Sequence, residues 1–350
     1  MNPPKRAETP RPSLASQQAS ESHEAPASLQ GSFWPQDEAA LDASATSPSM
    51  AGGASPATEL GSGAPTATPL IAPVVAPDGI RLGTSSFTAA GWAGTFYPAK
   101  LSSREYLSCY AQRFDTVEVD STFYACPAPN TVRGWYQRTP PGFLFAAKVP
   151  QSITHEKCLR DCDAEMAEFV GTMELLGGKL GPLLLQFGRF ARNVFRDGDE
   201  FLARLVPFLD KLPGAHRYVV EIRNHQWLTP RFMDALRQRG VALALNDQSW
   251  MPEWMNDPAE WRQRDLDLLT ADFTYIRWLG DRKGIEELTK SWDKTIVDRT
   301  LDLQKWVEAC VQIRRRGATI YAYANNHYAG HAPATLALFA GLYAAKAAST

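Results

Sequence analysis

Eight short apolar runs, at residues 80–83, 116–119, 143–147, 183–187, 218–222, 241–245, 273–278 and 319–323, are mostly separated by segments of helical length. Strands alternating with such segments build a parallel sheet with crossover helices, and a count of eight predicts closure into a (β/α)8 TIM barrel. Barrels of this kind carry their sites on the loops at the C-terminal strand ends. Polar residues gather there: Thr84, Ser85, Glu118, Asp120, Lys148, Gln186, Glu221, Arg223, Asn246, Asp247, Arg277, Asn325, Asn326 and His327. The pattern locates a site more sharply than it identifies a ligand.

The barrel pattern accounts for residues 78–345 of the 350. Residues 1–77 are dominated by Ala, Pro, Ser, Thr and Gly, with Phe33 and Trp34 as their only aromatics. So little apolar surface cannot offset a backbone entropy of about 1–2 kcal/mol per residue, and a disordered tail is expected. No continuous apolar stretch follows Lys5 and Arg6, which argues against a secretory leader. The patch at 71–75 is broken by Pro73 and too short to span a bilayer, so no membrane partner is expected. Five cysteines without paired metal spacing point to reduced thiols and a cytoplasmic location. A net charge of −2 argues against nucleic acid as a partner. The basic run Arg314-Arg315-Arg316 ends a helix, where it complements the helix dipole. No segment names a cofactor or an oligomeric state.

Alternation along the strands sorts the candidates. Thr116, Glu118 and Asp120 share one face of strand two, and Val117 and Val119 the other. The valines suit the helix side, so Glu118 is expected inside, where an acid is costly unless paired or near the open end. Val219, Glu221 and Arg223 likewise share the inner face of strand five, with a mutual salt bridge as the plain structural alternative. Lys148 follows two alanines that leave room for its stem, and can act as a base, a Schiff-base former or an anion clamp. Gln186 suits a hydroxyl or amide. Helix one is expected at 102–113, with Ser102 and Glu105 in a capping box. The loop from Asn325 to His331 leads to a helix opened by Pro333. Its N-terminus, with Arg277 and Gly280, is an expected anion pocket. Capping and turn formation are the plain alternative for the asparagines. Trp92, Phe123, Tyr124 and Trp227 are expected to wall the site.

Seven segments in order carry a family likeness: Gly83-Thr84-Ser85, the run from Val117 to Tyr124, Ile153-Thr154-His155, the run from Leu183 to Phe187, Glu221-Ile222-Arg223 with Trp227, Tyr275-Ile276-Arg277, and Asn325-Asn326-His327-Tyr328 with Ala332-Pro333. Together they resemble the DUF72 (YecE-like) family of uncharacterised bacterial and archaeal proteins over about residues 80–340. The resemblance implies a TIM barrel and supplies no reaction. The chain departs from the usual pattern at Asn224 (commonly His, here followed by His225), at Leu279 (commonly His), at Asp120 (commonly Asn) and at Ser86-Phe87 (commonly Gly-Trp). A mechanism requiring those two histidines is not expected here.

The leading expectation is an enzyme acting on a small anionic or sugar-like molecule, phosphorylated or carboxylated. Glu118, Lys148 and Glu221 are its candidate catalytic groups. Thr84, Ser85, Asp120, Tyr124, His155, Gln186, Arg223, Trp227, Arg277, Asn325, Asn326 and His327 are its candidate substrate contacts, and no metal ligand is assigned. A second reading is a metal-dependent hydrolase or isomerase of the sugar-isomerase or abasic-endonuclease type, drawing on Glu118, Glu221, Asp247, His225 and His327. A third is a non-catalytic ligand- or partner-binding barrel, with Phe33-Trp34 as a docking element if the tail is more than an extension.

Overall fold

A computed structural model describes residues 70–71 and 73–349. All eight expected strands form: β1 (Ile80–Thr84), β2 (Thr116–Val119), β3 (Leu144–Lys148), β4 (Leu180–Gln186), β5 (Tyr218–Glu221), β6 (Ala242–Gln248), β7 (Phe273–Gly280) and β8 (Thr319–Ala324). They pair in parallel in the order β1-β8-β7-β6-β5-β4-β3-β2. Around them run α1 (Tyr106–Tyr110), α2 (Pro129–Gln137), α3 (Asp163–Met173), α4 (Gly198–Leu209), α5 (Pro230–Arg237), α6 (Pro258–Gln263), α7 (Arg282–Leu288), α8 (Thr300–Arg315), the short α9 (Asn326–Ala329) and α10 (Ala332–Ala348). No helix among the described residues is long and apolar enough to cross a membrane.

The inner faces of the strands follow the period of two. Ala146, Leu184, Val219, Ala242, Ala244, Phe273, Tyr275, Tyr321 and Tyr323 form an enclosed inner cluster, separate from the larger core between strands and helices. Bulky rings come from β7 and β8 and small side chains from β3 and β6, so the interior is a packed core. Phe273 meets Tyr321 edge-on at 5.9 Å, and the Tyr275 and Tyr323 rings lie 4.9 Å apart. Above this layer, at the C-terminal end, the inner residues Glu118, Gln186, Glu221, Asn246 and Arg277 are polar.

The β1–β2 seam is closed by a side chain. Tyr110 Oη accepts from Thr84 N at 2.9 Å and donates to Thr116 O at 3.1 Å, which replaces ladder bonds between the two strands. Gly83 permits the approach, since a Cβ there would stand 2.3 Å from Thr116 O. Tyr110→Phe should leave two buried backbone groups unmet and cost about 1–2 kcal/mol. An unchanged urea midpoint would show the seam to be held by packing alone.

Two boundaries differ from expectation. Leu70 N donates to Phe96 O at 2.9 Å, and Ile71, Val74 and Ala76 pack on the core, so the barrel's contacts begin before residue 78. Ile71 and Val74 supply the apolar side chains of that contact. The rest of the expected tail, with Phe33 and Trp34, lies outside the described residues. Helix one is shorter than 102–113: a 3-10 turn, Ser103–Glu105, precedes α1, and Ser102 makes no side-chain cap bond.

Candidate functional site

Register sets the heights of the inner polar residues. Gly83, Tyr323, Arg277 and Asn246 form one row across β1, β8, β7 and β6, and Gln186 faces Glu221 across β4 and β5. The centre is Arg277, 2% exposed. Its Nε and Nη2 donate to Glu118 at 2.9 and 2.7 Å, and its Nη1 to Glu221 at 2.7 Å. Tyr275 Oη donates to the Glu118 carboxylate at 2.6 Å. Arg223 Nε stands 3.5 Å from Glu221.

This arrangement corrects two expected roles. Burial alone would raise the Glu118 carboxyl, but the charge and hydrogen bonds of Arg277 outweigh it and hold the group below its ordinary value. A carboxylate so engaged is a poor proton shuttle. Arg277, expected as an anion clamp, already serves two carboxylates. Glu221 also pairs with Arg277 more closely than with Arg223. Sequence spacing could not reveal the pairing, because Glu118 and Arg277 are 159 residues apart.

Asp120 differs. It opens a 3-10 turn, Asp120–Phe123, directly after β2. Its carboxylate lies 3.5 Å from Lys148 Nζ and 3.7 Å from Arg277 Nη2, with 24% of the side chain open to solvent. Burial, reinforced by nearby Glu118, pushes its carboxyl up to about 6 against the pull of Lys148 and Arg277. Lys148 Nζ also sits 4.3 Å from the Phe123 ring centre. Thr122 Oγ1 lies 2.9 Å from Val119 O and 2.8 Å from Lys148 O, which ties this turn to the end of β3. His155 meets the other side of the group, edge-on to Phe123 at 5.0 Å.

Neutral polar groups complete the mouth. Asn246 is 2% exposed, yet neither its Oδ1 nor its Nδ2 has a protein partner. Gln186 Nε2, Ser85 Oγ and Glu221 Oε1 are also buried without a hydrogen bond. Such atoms are rare in folded proteins, and their concentration here marks a surface built to meet polar groups. Trp250, in the loop after β6, is 42% exposed, with Arg223 5.8 Å from its ring centre. Trp250 was not among the sequence candidates, and its place in a βα loop was the available signal. Tyr124, 41% exposed, lies on the Asp120 side.

Several candidates lie elsewhere. Thr84 has the outward parity of Ile80 and Leu82 and bonds Tyr110. A 3-10 turn, His225–Trp227, swings the Trp227 ring outward onto Phe201, stacked at 5.2 Å. Trp92 is buried behind the loops with Phe96 and Tyr97. Asn325 Oδ1 caps α9 through His327 N, and Asn326 Oδ1 accepts from Ala332 N at 3.0 Å, at the start of α10. Capping therefore describes both asparagines. His327 clasps α7, with Nε2 3.0 Å from Glu286 Oε1. Gly280, at φ +71°, lets the β8 loop approach; a Cβ would stand 2.7 Å from His327 O. The expected anion pocket at the last helix is thus filled by protein.

The pooled metal ligands do not converge either. Asp247 points outward to Trp306 Nε1 at 2.7 Å and Tyr328 Oη at 3.0 Å, and His225 is exposed. Among the described residues, no three His, Cys, Asp or Glu side chains are grouped to hold a metal ion. Asn224, where the family commonly has histidine, pairs through both amide atoms with the backbone of Phe190 at 2.8 and 2.9 Å.

Residues 81–350 match the profile of the family described as "Protein of unknown function DUF72". The chain is similar to UPF0759 protein YecE of Escherichia coli (strain K12), 35% identical over 200 residues, covering 52% of this chain and 71% of that protein. It is also similar to UPF0759 protein YunF of Bacillus subtilis (strain 168), 28% identical over 152 residues, covering 41% and 52%. A crystal structure of a DUF72 family protein from Thermotoga maritima superposes with a TM-score of 0.59 at 24% identity, covering 77% of this chain and 99% of that one. One from Enterococcus faecalis gives 0.54 at 19% identity, covering 76% and 95%. At these identities the structures speak to fold alone.

Proposed function

We propose that this chain, which belongs to the DUF72 family but carries Asp120 where that family commonly has Asn, binds a small polar or anionic molecule at its barrel mouth and moves a proton on it through Asp120 and Lys148. The observation that carries this reading is geometric: the Asp120 carboxylate, 24% open to solvent, lies 3.5 Å from Lys148 Nζ at the edge of buried amides without protein partners, and burial shifts its carboxyl upward. A group titrating near neutrality can both accept and return a proton, which an acid locked to arginine cannot. Asn246, Gln186 and Ser85 would meet hydroxyl, carbonyl or amide groups of the ligand, and Trp250 and Tyr124 would flank it. Glu118, Arg277 and Glu221 would hold the floor in shape. A sugar acid or other hydroxylated anion has the matching chemistry.

The formal charges support an anion. Glu118, Glu221 and Asp120 balance Lys148, Arg223 and Arg277, so a proton on Asp120 leaves a net charge of +1. Affinity for a sugar acid such as gluconate should rise as pH falls through about 6. Calorimetric titration across pH tests this, and a flat profile would remove Asp120 from the binding account.

Asn246 separates ligand recognition from scaffold. Asn246→Leu should leave stability unchanged or raise it by about 1 kcal/mol, because it removes two unmet polar atoms from a buried site. Ligand affinity should fall at the same time. A clear loss of stability instead would mean that the amide serves the fold.

A further inference from the structure

At the opposite end of the barrel, where β1 begins and the chain enters β2 and β3, lies a cavity of about 420 Å³. Arg81, Arg113 and Asp115 line it, with Pro73, Pro140 and Pro141 in its walls. Arg113 is only 4% exposed, and neither its Nε nor its Nη1 has an acceptor. Asp115 gives one oxygen to Arg81 at 2.5 Å, while its buried Oδ1 has no donor. No carboxylate among the described residues comes within ion-pair distance of Arg113.

Arg113 and Asp115, each with covered polar atoms that lack a partner, thus line one cavity without reaching each other. A buried guanidinium serving only the scaffold normally spends its N–H groups on carbonyls or carboxylates. The walls are largely pre-formed, since proline fixes φ on two sides. Arg81, Arg113 and Asp115 together carry a formal charge of +1, which matches a monoanion. The packed aromatic interior separates this cavity from the mouth.

We infer that this cavity is a second binding site, which takes a small oxyanion that also carries a hydroxyl or ammonium donor, as in a hydroxy acid or an amino acid. The oxyanion meets Arg113, and the donor meets Asp115 Oδ1. The site is independent of the mouth and of its proposed proton transfer. Burial draws the Arg113 guanidinium down to about 10, the direction expected while no anion faces it.

The test is a titration of the full chain, labelled with 15N-arginine, reading the side-chain Nε–H resonances. The probes are acetate, which can only accept, and glycolate, which accepts and donates. Arg113→Lys assigns the resonance; if that variant does not fold, its cross-relaxation with the Phe114 ring, 5.6 Å from the guanidinium carbon, assigns it instead. A saturable shift confined to Arg113 is expected, with glycolate roughly tenfold tighter than acetate. Lys148→Met should leave it intact, which separates this site from the mouth. No saturation, or a drift shared by all arginines and reproduced by sodium chloride, overturns the site. Equal affinity for the two probes overturns the role of Asp115.

Discussion

Arg277→Met should destabilise the barrel by about 3–5 kcal/mol, because it strands two fully buried carboxylates that now share one guanidinium. Methionine matches much of the stem and none of the charge, so the loss is mainly uncompensated charge. Adding Glu118→Gln and Glu221→Gln should recover much of it, since neutral amides remove the cost of ionisation. Urea denaturation of the single and triple variants at neutral pH measures this. If the single variant keeps its midpoint, the cluster is not a structural unit. A pH profile gives a second handle on the wild type. Glu118 in the folded state sits below its ordinary value near 4.5, so the unfolded chain binds more protons as the medium turns acid. Its contribution is therefore full above about 4.5 and drains away as pH falls further. Glu118→Gln should flatten that acid limb.

Asp120→Asn is expected to do the reverse to stability and to abolish the proposed chemistry. The folded Asp120 carboxyl is raised from an ordinary 3.8 to about 6, so between those values the native state holds a proton that the unfolded chain has released. That contribution is present below 3.8 and lost as pH rises through 6. At neutral pH the wild type therefore carries a cost, and Asp120→Asn should gain about 1–3 kcal/mol. Any turnover found for the wild type should drop at least about a hundredfold, the usual worth of a positioned acid/base group. Stability gained while function is lost is the signature of a site residue. Should the variant be less stable at pH 7 than the wild type, Asp120 would be a structural ion-pair partner of Lys148, and the functional reading would lose its main support.

The opposite behaviour of these neighbouring acids shows where legibility ended. Both were visible from strand parity as inner-face acids, one on β2 and one just beyond its end, since the two-residue period needs only local sequence. Which one is locked and which is poised depends on Arg277, which reaches Glu118 from the far side of the barrel. Similar physics governs the misplaced candidates. Trp227 was expected to wall the mouth, but a 3-10 turn after β5 turns its ring toward α4. Asn325 and Asn326 carried two readings on sequence, and the choice for capping was made by the N–H groups of His327 and Ala332. Asn246 was legible only as a polar strand end; its lack of partners is a property of everything around it.

By itself the sequence determined the number of strands, their parallel alternation with helices, the end of the barrel that carries polar residues and the family likeness. Each of these rests on periodicity or motif order, which short stretches of chain encode. Tertiary structure alone decided which charges neutralise one another, which carboxyl titrates near 6, which amides are left without partners and where a buried arginine borders a cavity. Those are matters of distance and dielectric, set by residues far apart in the chain that meet only when the barrel closes.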